Sequence, residues 1–199
     1  MAEMQPTRLI DPGGFTSETT RTSTTPGLQL RRSPSIRIRP RIARETEKIP
    51  EELRATFRAL LQGGKSWPLY LHGPAGTGKT CSALRLCDYV EGSLYLTPDG
   101  LVDRLIRGGI DWYWRALKER PLAVLDELST RAKDLDAHYS VVKQFADCRE
   151  EAGRVAIYIG NVQPSTLHRN YDDRIADRIL CGTVFRLEGA SRRTTNGPG

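Results

Sequence analysis

The chain has 199 residues, room for one domain, and an apolar content of 38%, so part of it is expected to lie outside any packed core. It holds no apolar run long enough to cross a bilayer and no secretory leader pattern, which argues against the membrane and secreted classes. Four scattered cysteines (Cys81, Cys87, Cys148 and Cys181) form no metal-ligating spacing and fit the reduced thiols of a cytoplasmic protein.

Residues 1–48 lack sustained helical or strand periodicity and are rich in Thr, Ser, Pro and Gly. Such a segment exposes too little apolar surface to offset chain entropy, so a disordered arm is expected. Its second half is basic. Arg31, Arg32, Arg37, Arg39, Arg41 and Arg44 occur without an intervening acid, and these six charges equal the +6 of the whole chain. A polyanion, DNA foremost, is the expected partner of such a stretch. A merely solubilising arm is the alternative.

The texture changes at Ile49. Pro50 and two acids suit the start of a helix, and Leu53, Phe57, Leu60 and Leu61 share one helical face before Gly63-Gly64 ends it. The apolar run 67–71 predicts a first strand. It leads into Gly73-Pro74-Ala75-Gly76-Thr77-Gly78-Lys79-Thr80, a complete phosphate-binding loop, with a helix predicted over 81–90. The glycines permit a backbone whose N–H groups converge on an anion. Lys79 is expected on the β- and γ-phosphates of a nucleoside triphosphate, and the Thr80 hydroxyl on Mg2+.

A second strand is predicted over 93–97, then two short helices over 98–108 and 110–120. Trp112, Tyr113 and Trp114 in the latter either anchor it to the core or stack on bases. The third strand, 122–125, runs into Asp126 and Glu127. Ligands of parallel sheets sit at the carboxyl ends of strands, so Asp126 is expected to hold Mg2+ and Glu127 to polarise the attacking water. A helix follows over 135–151, a fourth strand over 155–159, and then Asn161, an amide placed to orient that water or touch the γ-phosphate. Helical segments cover 164–180, with Arg174 and Arg178 four apart on one face. Arg178 is a candidate for stabilising charge on a transferring phosphoryl group. The fifth strand is expected over 183–187. Alternating strands and helices predict an α/β fold, a parallel five-stranded sheet with helices on both faces.

The phosphate loop, Asp126-Glu127, the strand-end Asn161, the helix Asp173-Arg-Ile-Ala-Asp-Arg178-Ile and the closing Leu187-Glu-Gly-Ala-Ser-Arg-Arg193 occur in one order. In that order they resemble the AAA+ ATPases of the DnaC/IstB type, which are helicase loaders and ATPase subunits of transposition systems. The resemblance covers about residues 49–193, leaving 194–199 as a tail. It implies a P-loop NTPase that binds ATP and Mg2+, with Asn161 as first sensor and Arg178 as the finger reaching a neighbouring subunit's nucleotide. Arg193 would lie near the nucleotide. It further implies a homo-oligomer on DNA with a replicative helicase or a transposase as protein partner. The chain departs from the pattern after the fifth strand, where too few residues follow for a helical lid domain. A nucleotide-gated switch with little turnover is a further reading, against which Glu127 and Arg178 both stand.

Overall fold

The computed structural model describes residues 49–128, 135–189 and 191. The basic arm, the 194–199 tail and Arg193 lie outside the described residues. Helix α1 (Glu51–Leu61) starts after Pro50, where a missing N–H costs nothing, and carries Glu51 and Glu52 at its positive end. Its Leu53, Phe57 and Leu60 are fully buried. Strand β1 (Leu69–His72) is buried along its whole length, as a strand covered on both faces must be. The phosphate loop joins it to α2 (Lys79–Tyr89).

Next come β2 (Leu94–Leu96), α3 (Pro98–Arg107) and α4 (Ile110–Glu119). Thr97 caps α3 by accepting from the Gly100 N–H at 3.1 Å. Strand β3 (Leu122–Leu128), helix α5 (Leu135–Glu151) and strand β4 (Val155–Gly160) follow. The expected helical stretch 164–180 is two helices, α6 (Pro164–Asn170) and α7 (Asp173–Leu180), and Asp172 caps the second by accepting from Ile175 N–H. Strand β5 (Thr183–Arg186) closes the order of elements.

All four strand pairings are parallel, and the sheet runs β2-β3-β4-β1-β5. The expected fold class is the observed one. Alternate side chains enter opposite cores. Leu69, Leu71, Leu122, Val124, Ile157 and Ile159 meet α1 and α2, whereas Tyr70, Ala123, Leu125, Ala156 and Tyr158 face α3 to α7. Because β3, β4 and β1 are neighbours, the two acids, Asn161 and the phosphate loop line up along one carboxyl edge.

Strand β3 is longer than its sequence suggests, since it continues through both acids to Leu128. Its register against β4 shifts between Leu125, opposite Tyr158, and Leu128, opposite Gly160. Three residues on β3 thus span two on β4, a β-bulge, which re-aims side chains at the sheet's edge.

One polar side chain ties the α3–α7 side together. Arg149 of α5 is 2% exposed. Its guanidinium donates to Leu117 O at 2.5 Å, Arg120 O at 2.7 Å, Pro121 O at 2.9 Å and Val155 O, joining the end of α4 to the starts of β3 and β4. Burial pulls its pKa down to about 10, which leaves it a cation at neutral pH. Removing it strands several buried carbonyls, each of which then loses a charge-assisted bond. Arg149→Ala should lower the unfolding free energy by on the order of 3–5 kcal/mol in urea titrations. A loss below about 1 kcal/mol would show that these carbonyls find other donors.

Candidate nucleotide site

The phosphate loop bends where its glycines allow. Gly73 has φ +140 and Gly76 φ +81, both in the region side chains resist. They are also approached closely, since a Cβ on Gly73 would meet Leu187 O at 2.1 Å and one on Gly76 would meet the Ser191 Oγ at 2.1 Å. The chain after β5 therefore lies directly against the loop, held by Leu187 N–H donating to His72 O at 2.7 Å. Within the loop the Thr77 hydroxyl donates to Pro74 O at 3.0 Å. The Lys79 ammonium donates to Gly73 O at 2.8 Å and Pro74 O at 2.7 Å. Lys79 is buried at the first turn of α2, whose N-terminal N–H groups add positive potential.

His72 precedes the loop. It is buried and its ring stacks on Tyr70 at 5.4 Å. Burial, then the charges of Arg186 and Lys79, push its pKa below the ordinary value, so it is a neutral packing residue rather than a further cation.

Asp126, 3% exposed, collects three donors. Thr80 Oγ1 reaches its Oδ2 at 2.6 Å, the Tyr95 hydroxyl reaches the same oxygen at 2.8 Å, and the Glu127 N–H reaches Oδ1 at 2.7 Å. Burial first, and the Asp126 carboxylate beside it, push the Tyr95 phenol above its ordinary pKa, so it stays a donor. Glu127 is exposed and sits at φ 66, the only non-glycine residue with positive φ among the described residues. The bulge turns the two acids apart, one into the sheet's edge and one toward solvent.

Among the described residues no three His, Cys, Asp or Glu side chains cluster as a metal cage. The donor set present, one hydroxyl and one buried carboxylate in contact, suits Mg2+, which takes few protein ligands and completes its shell with phosphates and water. Pro74, Ala75 and Gly78 complete the loop around that position.

Asn161 follows β4 and is exposed at the same edge. Arg178 is not an open cation in the isolated chain. It is partly buried on α7 and pairs with Asp147 and, at 2.5 Å through Nε, with Glu150, both on α5. Burial draws the Asp147 carboxyl upward, but hydrogen bonds from Lys143 and Arg178 outweigh it and hold it below its usual value. Arg174, on the same helix, is exposed.

Solved structures resemble this fold. DnaI matches with a TM-score of 0.54 at 20% identity, over 80% of this chain and 87% of that one. The DnaC helicase loader matches with a TM-score of 0.55 at 14% identity, over 69% of this chain and 87% of that one. The chain shares its fold with these two structures. Replication initiator DnaA bound to AMPPCP and single-stranded DNA matches with a TM-score of 0.55 at 19% identity, over 70% of this chain. The chain spans about half the length of two DnaA chains it matches, 48% of DnaA from Aquifex aeolicus bound to AMPPCP and 45% of DnaA bound to AMPPCP and single-stranded DNA. No protein-family model and no curated protein sequence matches it.

One neighbour of the site went unseen in the sequence, Tyr95. Tyr95 lies between two leucines of a short strand, a pattern that gives no hint of a polar partner across the sheet.

The strain at Glu127 has a measurable consequence. An L-residue in the left-handed region costs about 1–2 kcal/mol, which glycine avoids. Glu127→Gly should therefore be more stable than Glu127→Ala by about 1 kcal/mol, reversing the usual order of these residues in a strand. Thermal unfolding of the two variants side by side checks it. Equal stability would mean the bulge relaxes when the carboxylate is lost.

Proposed function

We propose that this chain binds ATP with Mg2+ and hydrolyses it, acting on DNA to load or remodel a replicative helicase. The observation that carries the nucleotide reading is the convergence of the phosphate loop with the 2.6 Å Thr80–Asp126 contact at the carboxyl edge of three adjacent parallel strands. Thr80 and Asp126 would hold Mg2+, whose charge would offset that of the phosphates. Lys79 would leave the loop carbonyls for the β- and γ-phosphates. Glu127, exposed and aimed away from Asp126, would accept a proton from the water that attacks the γ-phosphorus, with ADP leaving. Asn161 would hold that water or a γ-phosphate oxygen. Arg193 stays a proposal from the resemblance alone.

The DNA reading rests on the basic stretch Arg31–Arg44 and on the α3–α4 corner. That corner exposes Arg104, Arg107 and Arg115 together with Trp112 at 52% and Ile106 at 76%. Arg107 is paired with Asp103 at 2.6 Å. The three aromatics of α4 divide, for Tyr113 and Trp114 pack against the core while Trp112 faces solvent. Exposed aromatic and basic side chains on consecutive helices suit unstacked bases and phosphates. The DnaC, DnaI and DnaA likenesses favour replication. No helix among the described residues is long and apolar enough to cross a membrane.

A second reading has one observation in its favour. Arg178 is engaged by Asp147 and Glu150 within its own chain. A chain that keeps this pairing would be a nucleotide-gated switch with slow turnover. Assembly that draws Arg178 toward a neighbour's nucleotide would convert it to an ATPase.

Lys79→Ala should abolish ATP binding, because the loop loses its mobile cation. Glu127→Gln should retain binding and lose turnover, the signature of a group needed only for the chemical step. Equilibrium binding and turnover, each measured with and without single-stranded DNA, check both. Parental affinity in Lys79→Ala would overturn the site.

Arg178→Ala alone should be nearly inactive, since fingers of this kind contribute roughly 10³ or more to rate. Mixed with Glu127→Gln, it should recover part of the activity, because some head-to-tail interfaces then pair an intact Glu127 with an intact Arg178. No recovery in mixtures shown to co-assemble would confine Arg178 to its own subunit.

A further inference from the structure

We propose that Tyr95 is a positioning residue of the Mg2+ site, holding the Asp126 carboxylate through its phenol so that one acceptor position faces the metal's water shell. The inference rests on the nucleotide reading above and adds a residue outside the phosphate loop and the strand-end acids.

The placement follows from the sheet. Tyr95 stands opposite Val124 in the β2–β3 ladder. Side chains two apart on a strand share a face, so Tyr95, Val124 and Asp126 point to the α2 side, where Thr80 also lies. The Tyr95 ring can then lean along β3 to Asp126, and its hydroxyl ends 2.8 Å from Oδ2. Neither core cluster includes Tyr95, and the residue is 38% exposed. Core packing alone does not fix its position, and the one hydrogen bond of its hydroxyl among the described residues is to Asp126.

The acceptor count on the carboxylate gives the bond its consequence. An ionised carboxylate offers about four acceptor positions on its two oxygens. Two on Oδ2 are taken by the Thr80 and Tyr95 hydroxyls, and one on Oδ1 by the Glu127 N–H. One position on Oδ1 is left to accept from metal-bound water. Thr80 is itself drawn to the metal in the loaded site, which makes its grip on Oδ2 the less secure of the two. Tyr95 approaches from the edge strand, away from the phosphates, and keeps Asp126 from swivelling when Thr80 engages. The Glu127 N–H does the same for the other oxygen from the strained bulge. A carboxylate fixed in this way needs no reorganisation when the metal arrives.

Tyr95→Phe keeps the ring and removes only the hydroxyl. The test measures binding of a fluorescent ATP analogue to the full chain as Mg2+ is titrated, and again in EDTA. Loss of a hydrogen bond to a charged group should raise the Mg2+ concentration for half-maximal enhancement of binding roughly tenfold, with affinity in EDTA unchanged. In an Asp126→Asn background the same substitution should have no further effect, since Tyr95 acts only through that carboxylate. Three results would overturn the proposal: a parental Mg2+ dependence in Tyr95→Phe, an equal loss in EDTA, or an additive loss on top of Asp126→Asn. If Asp126→Asn itself leaves the Mg2+ dependence unchanged, the metal site fails and this role with it. If Asp126→Asn shifts the dependence and Tyr95→Phe does not, the role of Tyr95 alone fails.

Discussion

Strand β1 is the constraint on which the remaining structure depends. It lies between β4 and β5, is buried on both faces, and hands the chain straight into the phosphate loop. A strand in that position satisfies its backbone only through both neighbours, so the loop's origin is fixed by ladder bonds on two sides. Leu69, Tyr70 and Leu71 then anchor it in two separate cores. Tyr70 adds a buried bond to Val162 O at 2.7 Å, which ties β1 to the turn just beyond Asn161. Few routes remain by which the loop and the end of β4 could drift apart.

Against this rigid centre, the polar groups at the carboxyl edge are held under strain. The bulge in β3 and the positive φ of Glu127 are unfavourable locally, and the bonds gathered by Asp126 offset them. Strain of this kind persists only where surrounding contacts over-determine it. Here the result is two adjacent acids in unlike settings, one buried and saturated with donors, the other exposed. A regular strand also alternates its faces, but it could not aim Glu127 outward while keeping Leu128 in the core as it is.

Two arginines show how the same side chain serves opposite ends. Arg149 is engaged by backbone carbonyls of α4, of the link from α4 to β3 and of β4, and holds the layer together. Arg178 is engaged by side-chain acids at a partly exposed position. Carbonyls fixed in the backbone cannot follow a guanidinium that moves, and their desolvation cost keeps Arg149 in place. Carboxylates near solvent can rehydrate, so the Arg178 pairing is the more easily exchanged.

The sequence by itself determined the elements and their order, because strands, helices and the glycine loop are written in short-range patterns. Short apolar runs, the helical face of Leu53, Phe57, Leu60 and Leu61, and the spacing of Gly73, Gly76, Gly78, Lys79 and Thr80 all act within a few residues of one another. From alternation alone a parallel sheet was legible, and with it the placing of Asp126, Glu127 and Asn161 at strand ends. What only the tertiary structure decided are relations between distant residues. Thr80 meets Asp126 across 46 positions and Tyr95 meets it across 31. Arg178 meets Asp147 across 31 positions, and Ser191 closes on Gly76. The order β2-β3-β4-β1-β5, the added residue in β3 and the reach of each side chain set these contacts. None of them leaves a local pattern, because a strand's composition records that it is buried and not which strand lies beside it.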